Sequence, residues 1–165
     1  NILISTRLDD AEDSSNLLIH KENVNISELI SESISKAFTQ AQQKRIKANI
    51  QPDVFLTTDK AIFPSIIINL VENALKYSPA DSTIQVNLSK GEKITFSVAD
   101  TGSGIPDSEK EKVFKKFYRS GNEETRSSKG TGLGLFIVKK TVEMHGGEIT
   151  LGNNTPSGSV FEVRF

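Results

Sequence analysis

The sequence predicts an α+β fold, a two-layer α/β sandwich in which three helices cover one face of a mixed sheet of about five strands. Three segments, beginning near residues 25, 59 and 132, repeat apolar side chains at steps of three and four, the period of one helix face. Other short segments alternate apolar with polar residues, as half-buried strands do. Packing the apolar helix faces on the apolar sheet face would bury one core.

The composition is that of one ordinary globular domain. The 165 residues are enough for a single sizeable core, and 36% are hydrophobic and 25% are charged. The absence of cysteine excludes disulfides and thiolate metal sites. No apolar run approaches the about 18 residues of a membrane helix. The chain starts at Asn1 rather than Met, which suggests a piece of a longer protein.

Charge is unevenly spread along the chain, although the net charge is only −1. Residues 110–140 contain nine Lys or Arg and three Glu. Such a run is either a solvated face or a surface that attracts a polyanionic ligand, and charge alone leaves both interpretations open.

Two short segments are predicted to precede the domain. Residues 1–8 look like the tail of an element whose beginning is absent. Residues 9–23 are polar and acidic and are interpreted as a linker. The domain itself is predicted to occupy residues 24–165.

The first helix is predicted to begin near Asn25, because Asn25 and Glu28 have the spacing of a capping box. Its apolar stripe runs from Ile26 to Ala41. Two short strands and the turn between them are expected next, at residues 45–50, 54–56 and 51–53 respectively.

The second helix carries polar residues that suggest a binding role. Asp59 is a plausible cap, and Pro64 is expected to make the first turn irregular because it lacks an N–H. Asn69 and Asn73 lie one turn apart, and Lys76 follows one turn later. An amide oxygen is a good ligand for Mg²⁺, and a lysine suits a phosphate that such an ion accompanies. An amphipathic helix with ordinary surface asparagines is the alternative.

A predicted hairpin at residues 84–89 and 93–100 ends at an aspartate and two glycines. In such a turn, the Asp100 carboxylate can accept a hydrogen bond from an exocyclic amine, and Gly102 and Gly104 let the backbone approach a flat ring. A plain Asp-Thr-Gly turn is the alternative.

The remaining elements follow from composition and periodicity. Residues 108–118 are basic and are expected to be helical, whereas residues 120–129 contain no aliphatic or aromatic side chain and are expected to be mobile. The third helix is predicted at residues 132–145, with Gly146-Gly147 as its stop. Two final strands, residues 148–151 and 160–165, close the chain as a hairpin.

Gly130, Gly132 and Gly134 alternate just before the third helix. Glycines free backbone N–H groups to face phosphates, and a helix N-terminus adds a favourable dipole. The pattern is not a Rossmann fingerprint, because Leu135 stands where that fingerprint needs glycine. It is not a P-loop either, since no Gly-Lys-Ser/Thr follows.

Four blocks in order carry a resemblance that none of them carries alone. They are residues 66–78, 100–105, 113–119 and 130–135. They resemble the N, G1, F and G2 boxes of the ATP-binding catalytic domain of bacterial sensor histidine kinases, whose fold is shared by DNA gyrase B, Hsp90 and MutL. The resemblance covers roughly residues 24–165 and implies the same two-layer fold.

The resemblance implies a site for ATP and Mg²⁺. Asp100 matches the residue that reads the adenine amino group, Arg119 matches one that reaches the γ-phosphate, and Phe117 matches the start of a lid over ATP. Tyr77 is expected to border the adenine pocket, and Asn73 is the implied metal ligand. The implied cofactor-binding residues are Asn69, Asn73, Lys76, Tyr77, Asp100, Gly102, Gly104, Ile105, Phe117, Lys129, Gly130, Thr131, Gly132, Leu133 and Gly134, and the implied catalytic residues are Asn69, Lys76 and Arg119.

The implied reaction transfers the γ-phosphoryl group of Mg-ATP to a histidine on an adjacent dimerisation domain, for relay to an aspartate of a response regulator. Gyrase B and MutL carry Glu at the position of Asn69 to activate water, and because an amide cannot act as that base, we expect a poor ATPase. His20 lacks the acceptor motif of the family, so the acceptor domain is expected to lie outside this chain. The isolated chain is therefore expected to be inactive without it.

The resemblance implies that residues 1–8 are the tail of a preceding dimerisation helix. It also implies a cytoplasmic location, a dimer for the full-length protein, a monomer for the isolated domain, and no nucleic-acid or direct membrane contact in this segment. Two alternatives stay open. One is an anti-sigma-factor serine kinase of the same fold, against which the linker argues because those proteins stand alone. The other is a non-catalytic module that binds nucleotide only to set its conformation, against which the four intact blocks argue.

Overall fold

The computed structural model describes residues 20–119 and 131–165, which form an α+β fold of two layers. The strands are β1 (Glu22–Asn25), β2 (Ile46–Ile50), β3 (Phe55–Thr58), β4 (Ile84–Lys90), β5 (Ile94–Ala99), β6 (Glu148–Asn153) and β7 (Ser159–Arg164). The helices are α1 (Ile26–Ala37), α2 (Gln40–Gln43), α3 (Pro64–Tyr77) and α4 (Gly134–Met144), with 3₁₀ turns at Asp107–Glu109 and Lys112–Phe114. The predicted two-layer sandwich is confirmed.

The main sheet has five strands in the order β2-β4-β5-β7-β6. β2 and β4 run parallel, and the other neighbours are antiparallel. Along β4, Ile84, Val86 and Leu88 are buried while Gln85 and Ser89 are exposed. This period of two puts the apolar side chains on one face, which the helices cover.

Helix α3 is the centre of the helical layer. It contacts α1 and α4 and packs on β4 and β5. Ile66, Ile67, Leu70 and Val71 are all fully buried, as their helical spacing predicts. Burial of each such side chain contributes about 1.5–3 kcal/mol to the free energy of folding, relative to an exposed one. This stripe therefore fixes the position of α3 and of the polar residues beside it.

A second, two-stranded sheet of β1 and β3 was not predicted. β1 begins at Glu22, so residues 22 and 23, predicted to belong to the linker, lie in a strand of the domain. β2 and β3, which flank the predicted turn at residues 51–53, belong to different sheets and do not pair with each other. This arrangement depends on pairing between strands remote in sequence. The alternation of apolar and polar residues within a segment does not show which strand it will pair with.

Helix α1 differs from the prediction at both ends. Only half of the predicted capping box forms, since the Glu28 side chain accepts no hydrogen bond from the Asn25 N–H in the described residues. Asn25 Oδ1 accepts a hydrogen bond from the N–H of Glu28 at 3.3 Å, as expected of the cap. The helix ends at Ala37, short of the predicted stripe end at Ala41, because Thr39 caps α2 in a complete capping box with Gln42. A new N-cap therefore interrupts the apolar period.

Pro64 does not disturb α3, contrary to the prediction of an irregular first turn. The helix begins at Pro64, where the missing N–H has no intrahelical acceptor to lose. Asp59 Oδ1 accepts the N–H groups of Ala61 and Ile62 at 2.9 and 3.2 Å, so Asp59 caps the turn that leads into the helix.

The predicted stop of the third helix is confirmed. Gly146 has φ +78°, and its N–H donates to the carbonyl of Glu143, while the N–H of Gly147 donates to the carbonyl of Val142, both at 3.0 Å. These two bonds form a Schellman motif. By contrast, the region predicted to be helical at residues 108–118 contains only the two 3₁₀ turns. No helix in the described ranges is long and apolar enough to cross a membrane.

Arg45 locks the end of α3, a role that the sequence did not indicate. Its guanidinium donates to three backbone carbonyls, those of Leu75, Pro79 and Ser82, at 3.4, 2.7 and 3.0 Å. These carbonyls belong to the last turn of α3 and the loop that follows it.

Arg45→Ala is expected to lower the free energy of unfolding by about 1–3 kcal/mol, because charge-assisted hydrogen bonds to three carbonyls are lost. A denaturant titration followed by circular dichroism measures the change. Lys44→Ala is the matched control, since the exposed Lys44 side chain forms no hydrogen bond or ion pair within the described ranges. Equal losses in both variants would contradict the role of Arg45.

Candidate functional site

Four close contacts bring the four sequence blocks together, and three of them involve α3 or Ser78, which follows it. Each contact joins residues that are far apart in the sequence. The pairs are Asn69 with Gly134, Tyr77 with Gly102, Ser78 with Thr101, and Phe117 with Gly132. The blocks therefore form one region of the molecule, as the resemblance implied.

Asn69 is buried against the glycine segment. It is 4% exposed, and its Nδ2 donates to the carbonyl of Ser65 at 2.7 Å. A Cβ on Gly134 would lie 3.0 Å from Asn69 Oδ1, so glycine allows the start of α4 to approach α3 this closely. Asn73, one turn along, is half-buried and makes no side-chain hydrogen bond within the described ranges. Its amide oxygen has no donor in the described part of the chain and could accept a ligand.

Lys76 and Tyr77 lie at the exposed end of α3. Lys76 Nζ is 4.9 Å from the centroid of the Tyr77 ring, a cation–π contact, and Tyr77 is 53% exposed. Within the described ranges Lys76 forms no ion pair with a carboxylate. The charge of Lys76 is therefore not neutralised by a carboxylate there, and about half of Tyr77 is accessible.

The carboxylate of Asp100 is buried and fixed through one oxygen. Oδ1 accepts the N–H groups of Gly102 at 2.8 Å and Ser159 at 3.2 Å, and Oδ2 has no donor within the described ranges. Burial raises the pKa of Asp100, and the two N–H groups oppose that rise. One acceptor atom is left without a partner in a poorly solvated place, where an amine donor would be strongly favoured.

Gly102 has a structural role in addition to the predicted one. A Cβ there would overlap the carbonyl oxygen of Tyr77, so the glycine lets the turn pack on the end of α3. Its approach to a ligand stays a prediction. Ser78 Oγ accepts the N–H of Thr101 at 3.3 Å and ties the two segments together. Ser78 was missed because its partner lies 23 residues away, although serine after a helix often bonds to backbone.

Two further predicted cofactor-binding residues follow in the same turn. Gly104 has φ +74°, and a Cβ there would lie 3.2 Å from the carbonyl oxygen of Gly158. Ile105 is half-buried and packs against the main hydrophobic core. A cofactor role for either residue stays a prediction.

Phe117 lies beside the glycine segment in a strained conformation. Its φ is +62°, it is 65% exposed, and its N–H donates to the carbonyl of Gly132 at 3.0 Å. A Cβ on Gly132 would lie 2.8 Å from the carbonyl carbon of Phe117, so the two backbones need the glycine to meet. Phe114, in contrast, packs against Phe161 at a centroid distance of 6.3 Å. Phe117 is therefore the exposed member of the pair, and its contact with a ligand stays a prediction.

The N-terminus of α4 faces this region without a side-chain cap. Its first turn therefore has N–H groups without intrahelical partners, together with the positive end of the helix dipole. Leu133 is buried in a small cluster with Ile137, so only its backbone could contact a ligand. Thr131 is exposed. This arrangement suits an anion such as a phosphate.

Some predicted residues lie at or beyond the limits of the described ranges. Lys129, Gly130 and the segment 120–129, predicted to be a mobile lid, lie outside them. Arg119 is the last described residue before the gap at residues 120–130, and it is half-buried. Its predicted contact with a γ-phosphate stays a prediction.

His145 is buried at the end of α4 and has a structural role. Its Nδ1 lies 2.7 Å from the carbonyl of Thr141, and its Nε2 accepts the N–H of Asp59 at 3.2 Å. These partners assign the proton to Nδ1, and both ring nitrogens are then satisfied. The side chain has no atom left for chemistry.

The described residues offer a cation few ligands of their own. No group of three His, Cys, Asp or Glu side chains in these ranges could hold a metal ion. The residues do fit Mg²⁺ that arrives with a polyphosphate, because Mg²⁺ usually takes one or two protein oxygens plus phosphate oxygens and water. Asn73 supplies a suitable neutral oxygen.

Comparison with known proteins gives the family. Residues 58–165 match the model of the histidine kinase-, DNA gyrase B-, and HSP90-like ATPase family. The chain is 32% identical over 164 residues to the sensor protein KdpD of Clostridium acetobutylicum, and the aligned region covers 98% of this chain and 18% of that protein. It is 41% identical over 100 residues to the sensor histidine kinase WalK of Bacillus subtilis, covering 59% of this chain and 16% of that protein.

A solved structure agrees with these relatives. The mycobacterial sensor histidine kinase MprB superposes with a TM-score of 0.75 at 26% identity, and the match covers 88% of this chain and 97% of that one. The chain spans less than a fifth of the length of KdpD and WalK, so the match concerns one domain of those longer proteins.

Proposed function

We propose that the chain uses Mg-ATP to phosphorylate a histidine on an adjacent dimerisation domain. The chain belongs to the histidine kinase-, DNA gyrase B-, and HSP90-like ATPase family, as a catalytic domain of the sensor histidine kinase type. The phosphoryl group would then pass to an aspartate of a response regulator. The observation that carries this proposal is the meeting of a buried carboxylate, an amide-bearing helix and an uncapped helix N-terminus in one region.

In this proposal each end of ATP has its own partners. Oδ2 of Asp100 accepts a hydrogen bond from the adenine amino group, and Tyr77 borders the ring. The backbone N–H groups at the start of α4 hold the phosphates, an arrangement that needs no side chain. The glycines at 132 and 134 support it, because they allow this helix start to lie against Phe117 and Asn69.

Asn73 would hold Mg²⁺, and Asn69 lies one turn away on the same helix. When bound, the ion neutralises charge that develops on the phosphate oxygens. Lys76 and Arg119 would add positive charge beside the transferred group. The imidazole nitrogen of the acceptor attacks the γ-phosphorus, the bond from phosphorus to the bridging oxygen breaks, and ADP leaves with that electron pair.

The chemistry of Asn69 favours transfer to a protein over hydrolysis. An amide cannot remove a proton from water, and no carboxylate takes that place on the buried side of α3. The exposed Glu72 lies on another face of the helix. The relatives that are sensor kinases favour a histidine kinase over a serine kinase or a non-catalytic nucleotide-binding module.

Asp100→Asn is expected to weaken ATP binding about ten- to hundredfold, since a charged hydrogen bond of about 1.5–3 kcal/mol is lost. GTP, which lacks the exocyclic amine at that position, should bind the wild type more weakly than ATP does. Calorimetric titration of the chain with each nucleotide and Mg²⁺ measures both effects. The proposed site would be refuted if the wild type bound ATP and GTP equally well.

A further inference from the structure

The turn between β6 and β7 lies against Asp100 and is not part of the four sequence blocks. We propose that Asn154 in this turn is a positioning residue that orients Asp100 and so sets the preference of the site for adenine. This inference rests on the proposed nucleotide site. Asn154 itself would touch no part of the ligand.

The Asn154 side chain is held on both of its polar atoms. Its Nδ2 donates to the backbone carbonyl of Asp100 at 2.7 Å, and its Oδ1 accepts the N–H of Thr155 at 2.9 Å. The N–H of Asn154 donates to the carbonyl of Gly158 at 3.0 Å, which closes the turn. With both side-chain atoms and the backbone N–H bonded, Asn154 is a rigid support for its partner.

The rest of the turn reinforces the same peptide. Gly158 has φ +112°, and a Cβ there would overlap the carbonyl of Asp100, so its backbone lies directly on that group. Ser159 exchanges two bonds with Asp100: its carbonyl accepts the Asp100 N–H at 2.9 Å, and its N–H donates to Oδ1 at 3.2 Å. The backbone N–H, the backbone carbonyl and one carboxylate oxygen of Asp100 are thus all fixed by this hairpin.

These contacts determine where the remaining oxygen points. With Oδ1 committed to Gly102 and Ser159, the direction of Oδ2 follows from the orientation of the Asp100 peptide. Loss of the Asn154 amide removes the 2.7 Å side-chain hydrogen bond to the Asp100 carbonyl. The Asp100–Thr101 peptide then keeps the longer bond from the Thr101 N–H to Ser78 Oγ at 3.3 Å, so it can tilt about that end. The base end of the site would change, whereas the helix N-terminus proposed for the phosphates lies on a separate segment, α4.

The test compares ATP with inosine triphosphate, which has the same phosphates but no exocyclic amine. Asn154→Ala is expected to weaken ATP about three- to tenfold while ITP affinity stays within about twofold. Asn153→Ala is the matched control, because the neighbouring exposed asparagine makes no side-chain hydrogen bond within the described ranges, and it should leave both affinities unchanged. Equal weakening of ATP and ITP in Asn154→Ala, or no change in either, would overturn the positioning role.

A second variant and a double mutant make the test sharper. Asn154→Ser, which keeps a small polar side chain too short to reach the carbonyl, should reproduce the pattern if Asn154→Ala is too unstable to measure. Adding Asn154→Ala to Asp100→Asn should cause no further loss of ATP affinity, because the group being positioned is already changed; additive losses would overturn the proposal. Failure of the wild type to bind ATP is a separate result that refutes the nucleotide site itself.

Discussion

Incubated with radiolabelled Mg-ATP, the chain is expected to stay unlabelled on its own and to label a histidine of the acceptor hairpin of the same kinase when that domain is added. The chain contains two histidines. His145 has both ring nitrogens bonded in the interior and lies about 15 Å along α4 from the helix start, whereas transfer in line needs reacting atoms about 3–3.5 Å apart. His20 lacks the acceptor motif.

The label on the hairpin should be lost in acid and retained in base, as expected for a phosphohistidine. A hairpin whose acceptor histidine is replaced by glutamine is the matched control and should remain unlabelled. Because the amide of Asn69 cannot activate water, phosphate release from the chain alone should also be slow. Stable labelling of the isolated chain, or rapid phosphate release from it, would contradict the proposed division between nucleotide site and acceptor.

Asn73→Ala is expected to reduce Mg²⁺-dependent ATP binding by about 100-fold or more, since the variant loses the proposed metal ligand. The fold should persist. Asn73 is half-buried without a side-chain hydrogen bond in the described ranges, and alanine favours a helix over asparagine by at most about 0.7 kcal/mol. Calorimetry with ATP, with and without Mg²⁺, separates metal-dependent binding from the rest.

Glu72→Ala is the control for this variant, because the adjacent residue is exposed and also offers oxygen atoms to a cation. It should bind Mg-ATP like the wild type. Circular dichroism and thermal denaturation of both variants confirm that α3 is intact. Unchanged Mg-ATP affinity in the Asn73 variant would show that the metal-ligand assignment is wrong.

Features with a local cause were predictable. The apolar stripe of α3, the alternation in β4 and β5, and the glycine stop of α4 all follow from side chains a few residues apart, and all are present. Local rules failed where a neighbouring signal competed. Thr39 ended α1 early, and Pro64 began α3 instead of disturbing it.

The sequence by itself determined the two layers and the buried faces, because periodicity and composition report burial directly, and its resemblance to a known family identified the four blocks. Only the tertiary structure decided that β3 pairs with β1, that Asn69 lies against Gly134, and that Asn154 supports Asp100. Each of these contacts joins segments far apart in the chain. Their formation depends on how the whole core packs, and no local pattern in the sequence encodes which remote segment will be the partner.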